Sequence, residues 1–379
     1  MKHLRIRIVG GSLAGLFTAI LLQNDGHDVV VYERSHSGLA GRGAGLVPQE
    51  DVFRMLRMIG ADQAADVGVM ARERIYLNSD GTVAQMLSTP QMQISWDFLY
   101  SEVLARLDTG RYQTGRSVER VIDAADRATL IFADGTTEQA DLVIGADGLG
   151  SVVRATLNED WHNRFAGYVA WRGLLPETQL PSGTSLLLNR FAFYVVSRVH
   201  ILGYLVPGPN GETTPGQRRY NWVWYRPVSQ TNLASTLTDR DGTIYPYSLP
   251  RGTIAASRVE AFHADAVALL PTPFALAVQA EKTPSIQAIF DYAADRMVGQ
   301  SVALVGDSAF VARPHTAMGV SKAAGDAMSL QRNLARSGTL RDGLDHYQSE
   351  RKLIGDQTVA YGRRLGGSAL CSRRMLSRI

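Results

Sequence analysis

Three carboxylates stand where strand-like runs give way to turns: Glu33 ends "VVVYE", Asp147 lies in "LVIGADG" and Asp307 in "ALVGDS". Open α/β sheets gather ligands at the C-terminal ends of their strands, so an acid there can accept hydrogen bonds from a ribose or cap the next helix. The first acid has a companion turn, "VGGSLAG", in which Gly10, Ser12 and Gly15 take the places of a dinucleotide fingerprint. The first glycine permits the tight turn, and the last lets helix and strand pack closely. The helix start at Ser12, Leu13 and Ala14 would turn unpaired N–H groups and a positive dipole end toward a diphosphate. Glu33, followed by Arg34, lies about 20 residues on, where such an acid accepts ribose hydroxyls. Ser12 departs from the second glycine of the pattern; the site survives provided that position keeps a negative φ. The turn alone does not say which dinucleotide it serves.

A second set of residues could move protons. His200, Tyr204 and Tyr225 lie on strand-like runs in the middle of the chain, and His315 directly follows Pro314. Histidine titrates near neutrality and suits general acid–base work. A strand histidine or tyrosine is also commonly a packed residue with one satisfied hydrogen bond, which keeps both roles open for each. No grouping of His, Cys and carboxylate has the spacing of a metal site, so no metal is expected.

Positioning these residues requires an α/β framework. Arg5 to Val9 predicts a buried parallel strand, Leu13 to Leu22 a helix stopped by Gly26, and Val29 to Tyr32 the next strand. Leu142 to Ala146 and Val302 to Val305 repeat the strand-then-turn layout. Between Trp161 and Leu249 the pattern changes: Phe191–Val196, His200–Val206 and Arg219–Tyr225 predict aromatic, β-branched strands, and a hairpin over Arg74 to Leu87 joins their sheet. Residues 255–295 return to helical periodicity. Trp96, opening "WDFLY", is expected to be a packed aromatic anchor at a helix start.

The 379 residues, 45% hydrophobic, suffice for two or three lobes. No run of about 18 apolar residues predicts a membrane span. The first strand pattern begins by Leu4, which leaves no room for a secretion signal. The single cysteine, Cys371, fits a reducing, cytoplasmic setting. Net charge is +3 and the basic residues are scattered, apart from Arg363, Arg364, Arg373, Arg374 and Arg378, so no nucleic-acid stripe is expected. Mild basicity suits small anions such as diphosphates and ionised phenols.

Taken in order, the three segments resemble the fingerprints of the FAD-dependent aromatic hydroxylases of the p-hydroxybenzoate hydroxylase type. The second fingerprint is matched by Asp147, Gly148, Ser151 and Arg154, and the third by Gly306, Asp307 and Pro314. The resemblance implies a Rossmann-like FAD-binding domain with an inserted, mostly antiparallel substrate sheet and C-terminal helices. Residues 1–73, 96–160 and 296–379 would form the former with the helices, and 74–95 and 161–295 the latter. It implies that Glu33 holds the adenosine ribose, that Val118 meets the adenine, and that Asp307 contacts the ribityl–diphosphate region. Asp147 would serve FAD and the nicotinamide donor. "GAGLVPQ", ending at Gln49, resembles the loop beside the flavin. After Pro314 the family's Gly-Gln-Gly and Asn are replaced by Ala317, Met318, Gly319 and, beyond Val320, Ser321; backbone N–H groups there would still face the flavin and stabilise its reduced anion.

The implied activity is a single-component monooxygenase: bound FAD, transient NADH or NADPH, O2 and a small aromatic substrate, acting through a flavin C4a-hydroperoxide. "SWDFLY", "GYVAWRG", "FAFYVVSRVHILGYLVPG" and "RRYNWVWYRP" narrow the resemblance to enzymes of nicotine breakdown. They imply 2,6-dihydroxypyridine as favoured substrate and 2,3,6-trihydroxypyridine as product. A hydroxybenzoate-like or epoxidisable substrate, a halogenase (its Trp-x-Trp is met by Trp222 and Trp224, but Pro227 stands in the Ile place) and a non-catalytic FAD-binding protein are the alternatives. A homodimer stays open.

Overall fold

The structure is a computed structural model that describes residues 3–39, 41 and 43–371; of the basic C-terminal cluster, Arg373, Arg374 and Arg378 lie outside the described residues. From the N-terminus run β1 (Arg5–Val9), α1 (Leu13–Asn24) and β2 (Asp28–Glu33). Next come α2 (Glu50–Met58), the hairpin β3 (Glu73–Leu77) and β4 (Val83–Leu87), and α3 (Trp96–Leu104). After these follow β5 (Tyr112–Thr114), β6 (Leu142–Gly145) and α4 (Val152–Leu157). The middle of the chain supplies β7 (Arg164–Pro176), β8 (Arg190–Val196), β9 (Val199–Val206) and β10 (Arg219–Pro227). It closes with α5 (Ala256–Leu269), α6 (Thr272–Ala280), β11 (Ser285–Ala293), β12 (Val302–Leu304), α7 (Gly319–Arg336) and α8 (Leu340–Cys371).

The first sheet is parallel, in the order β12-β6-β1-β2-β5. Its inner strands are largely buried on both sides, which is why β2, β6 and β12 carry near-continuous apolar runs, while the edge strand β5 is polar and largely exposed. Helix α1 is buried from Leu13 to Leu22, apart from half-buried Ala14, because it lies between this sheet and α7. Gly26 ends the unit at φ +86°.

The second sheet has nine strands. Residues 248–249 lead into β11-β7-β10-β9-β8-β3-β4, and residues 310–311 pair with the far end of β11. All neighbours are antiparallel except β8 and β3. Side chains alternate between two faces. One face packs on α5 and α6, where Trp171 stacks on Phe262 with ring centroids 3.9 Å apart and Trp222 and Trp224 are fully covered. The other face looks toward the strand ends of the parallel sheet.

Two expectations need correction. Residues 285–293 are not helical but form β11, beside β7 in the large sheet. The run does alternate, with Ser285, Gln287 and Asp291 on one face and Ile286, Ala288, Phe290 and Tyr292 on the other; its nine residues follow closely on two helices, and so short a run is outweighed by their periodicity. Residues 91–95 do not join the large sheet either; they pair with 45–46 and 68–71 in a separate three-stranded sheet. Among the described residues, no helix is long and apolar enough to cross a membrane.

Candidate active site

At the first turn, Gly10 has φ +105°, and a Cβ on it would lie 2.4 Å from the Ala146 carbonyl oxygen. A Cβ on Gly15 would lie 2.0 Å from the Gly10 carbonyl oxygen. These two positions therefore admit only glycine. Ser12 has φ −80° with an extended ψ, so the departure from the fingerprint carries no backbone strain. No side chain caps the start of α1, and Ser12, Leu13 and Ala14 open onto a cavity of about 1580 Å³. Glu33 sits behind the turn, its Oε2 accepting from Gly11 N–H at 3.0 Å and its Oε1 from Ser35 N–H at 2.9 Å. Arg34 beside it is exposed, and Val118 is buried where the next segment meets Glu33 through the Arg116 N–H bond to the Glu33 carbonyl.

The second and third turns meet the first. Asp147 caps α4: its carboxylate accepts from the Ser151 hydroxyl at 2.5 Å and from Val152 N–H at 2.7 Å. Burial pushes its pKa up, against those hydrogen bonds. Its side chain is committed to the helix, while Gly148 and Leu149 line the cavity. Asp307 lines the cavity beside Ser12 and Ala14. The loop after it carries Pro314, Met318, Gly319 and Val320 in the wall; Ser321 is buried behind them. Ala317 takes a left-handed conformation, φ +52°, where the family pattern has glycine, and its carbonyl accepts from Gln49 Nε2 at 3.2 Å.

The open face of the large sheet forms the opposite wall. Register sets Gln287, Ala170, Tyr225, His200 and Val195 in one cross-strand row. Two residues along each strand, Arg172, Val223, Leu202, Phe193 and Tyr76 form the next. Tyr204 lies one row further, its hydroxyl donating to the Gly45 carbonyl at 3.1 Å. His315 comes from the loop after Pro314 and lies over this face. Its ring centroid is 4.3 Å from that of Tyr225 and 5.3 Å from that of His200, and its Nε2 is 3.0 Å from the Tyr168 hydroxyl. Trp96 closes a third side, stacked on Tyr100 at 5.0 Å.

Burial sets the charge states. It pulls the His200 pKa down to about 4 and, helped by the nearby Arg313 charge, pulls His315 well below its ordinary value. It pushes Tyr204 up to about 12 and Tyr225 higher still, against the pull of Arg172. Both histidines are neutral near pH 7 and both tyrosines keep their protons. His200 has both ring nitrogens buried without a protein partner, and Arg172 has its Nε in the same condition. Buried polar groups are nearly always satisfied, so unpartnered ones lining a cavity mark where a ligand bonds.

All four proton-handling residues expected from the sequence thus share one cavity with Ser12, Gln49, Asp307 and the 314–320 loop. Gly10, Gly15, Glu33, Arg34, Val118, Asp147 and Ser321 stand outside its wall, as turn, backing and cap. Sequence reasoning missed Arg172, Gln287 and Tyr168. The signal was in "GYVAWRG": Ala170 and Arg172 alternate with Val169 and Trp171, and only the register shows which pair faces the cavity.

The residues fit a bound dinucleotide: a glycine-only turn, an uncapped helix start and an acid converge on a cavity larger than the roughly 300–1,000 Å³ of a small-ligand site. A family model described as FAD binding domain matches residues 3–184 and 251–361, and one described as FAD binding domain-like matches 165–291. The chain is similar to a 2,6-dihydroxypyridine 3-monooxygenase of Paenarthrobacter nicotinovorans, 31% identical over 91% of this chain and 86% of that one. It is also similar to the solved structure of 2,6-dihydroxypyridine-3-hydroxylase from Arthrobacter nicotinovorans, at TM-score 0.92, 28% identity and coverage of 99% and 95%. Klebsiella pneumoniae HpxO, solved with FAD and uric acid, shares the fold at TM-score 0.74 and 21% identity, covering 95% and 87%.

Proposed function

From the premise that the chain belongs to the FAD binding domain family and is an FAD-dependent monooxygenase acting on hydroxylated aromatic or heterocyclic rings, we propose that its substrate is 2,6-dihydroxypyridine, hydroxylated to 2,3,6-trihydroxypyridine. FAD, when bound and reduced by NADH or NADPH, supplies an electrophilic oxygen atom from O2. Ser12, Leu13 and Ala14 would hold its diphosphate, Glu33 a ribose and the 317–320 backbone its ring. That chemistry would call for a ring carbon made electron-rich by an ionised hydroxyl, so the chain's own task is to bind the ring as an anion in a dry place.

The observation that carries this reading is the pairing of Arg172 and His200 on one sheet face. Arg172, whose Nε is buried without a partner and which pairs with no carboxylate among the described residues, favours an ionised ring hydroxyl. His200, neutral, has one unprotonated ring nitrogen with which to accept from the ring hydroxyl, and one N–H left to donate. Leu202, Phe193 and Val223 exclude water around them. His315 and Tyr168 form a second hydrogen-bonded pair against Tyr225 that can take the proton onward. Arg172 would hold a carboxylate equally well, which favours a hydroxybenzoate-like ring as the second reading.

Stimulated oxidation of NADH and of NADPH across a panel of hydroxypyridines and hydroxybenzoates, with product mass, tests both. The largest kcat/KM is expected for 2,6-dihydroxypyridine, with one oxygen atom gained. A hydroxybenzoate preferred over every hydroxypyridine would turn the assignment to the second reading, and no stimulation by any ring would end both.

A further inference from the structure

Lys322, in the first turns of α7, has a side chain only 1% exposed, yet it is bonded to an acid whose side chain is 52% exposed. Its Nζ lies 2.6 Å from Asp307 Oδ1 and also donates to the Phe310 carbonyl. One helical turn later, Asp326 Oδ2 accepts from Gly306 N–H at 2.8 Å. Helix α7 thus grips the turn after β12 at both of its residues, the backbone of Gly306 and the carboxylate of Asp307.

That turn is pressed against the start of α1. Gly306 has φ +64°, and a Cβ built on it would lie 2.7 Å from the Ala14 Cβ. The Asp307 carboxylate therefore stands in the cavity wall beside the uncapped first turn of α1, which attracts a diphosphate. A bare carboxylate there would repel the same diphosphate, and because the Asp307 side chain is half exposed, salt screens that repulsion in part. A buried ammonium on its far side removes the conflict: Asp307 stays an acceptor for hydroxyl groups while its charge is cancelled from behind.

We infer that Lys322 is a cofactor-positioning residue, which holds the Asp307 carboxylate and cancels its charge so that a diphosphate-bearing dinucleotide can bind at the α1 turn. It touches neither substrate nor reacting atoms. The inference is independent of which ring is hydroxylated.

FAD titrated into the FAD-free protein, followed by flavin fluorescence, is the test. Lys322→Gln, which keeps a hydrogen-bond donor and loses the charge, is expected to raise the FAD dissociation constant about tenfold or more, with a smaller penalty at high salt. The same change made in an Asp307→Asn background is expected to cost less than about threefold, because no charge is then left to cancel. A merely structural lysine would give the same loss in both backgrounds, and that result overturns the inference, as does a Gln variant whose affinity stays at the parent value. Should the Gln variant not fold, Lys322→Arg decides: an affinity within about threefold of the parent supports the charge role, and a tenfold loss in a folded Arg variant overturns it.

Discussion

Arg172 and His200 make opposite demands on a ligand, one for negative charge and one for a proton to accept, and an ionised hydroxyl ring meets both. Arg172→Met is expected to weaken binding of an anionic hydroxypyridine by about ten- to hundredfold, the worth of a charge-assisted hydrogen bond, while an uncharged ring of the same size loses far less. Binding to the FAD-loaded protein, read by perturbation of the flavin spectrum, checks it; equal losses for both rings would deny Arg172 its anion. His200 makes a second prediction through stability. Its pKa is about 4 in the folded protein and near 6.5 unfolded, so between those values the unfolded chain binds more protons. The stabilisation is complete above pH 6.5 and is lost as pH falls toward 4. His200→Gln in the FAD-free protein should therefore show a shallower fall in melting temperature over that window than the parent. Parallel curves would mean that His200 is not the buried neutral group described. These residues were legible as types and not as a site: His200 and His315 are 115 positions apart, and only the sheet register and the loop after Pro314 bring their rings within 5.3 Å.

At the scale of the element, the strand–turn–helix units were readable almost to the residue, because a buried parallel strand and a glycine-bounded helix leave strong local patterns. β1 spans Arg5–Val9 as expected, and α1 runs only two residues past its expected end. β11 was missed although Ser285, Gln287 and Asp291 alternate with apolar neighbours, because nine residues closely after two helices give a weaker signal than the helical periodicity they extend. The turn between β1 and α1 separates sequence pattern from physical need. Gly10→Ala must adopt φ +105° and drive a Cβ into the Ala146 carbonyl, so a loss of roughly 2–4 kcal/mol is expected, together with loss of FAD binding. Ser12→Gly restores the fingerprint letter at a position already at φ −80°, and is expected to change stability by less than about 1 kcal/mol. Chemical denaturation of the two FAD-free variants gives both numbers. If Ser12→Gly were the more disruptive, the hydroxyl rather than the backbone would govern this turn.

The two sheets meet along the cavity, and one side chain ties that junction together. Arg154, fully buried in α4, donates to the carbonyls of Gly148, Leu149, Asp307 and Ser308 and to Asn163 Oδ1, at 2.6–3.2 Å. Its guanidinium lies 4.0 Å from the ring centroid of Tyr292 on β11 and 4.6 Å from that of Trp161. It therefore bonds the second turn to the third, and packs both on the large sheet. Matching five acceptors in different directions requires the planar fork of an arginine, which a lysine ammonium cannot reproduce. Arg154→Met would leave several carbonyls buried without donors, at about 1–3 kcal/mol each where water cannot reach them, so a large drop in melting temperature is expected. The informative readout is where the protein loosens. Amide hydrogen exchange should rise together in residues 148–152 and 306–308, which lie far apart in sequence, while the β8–β9 hairpin keeps its protection. FAD affinity should fall with it, because Asp307 is held at the α1 turn from the Arg154 side through its carbonyl and from the α7 side through Lys322. Exchange that rises only within α4 would show that the two turns are positioned separately, each by its own strand, and that the arginine merely fills space between them.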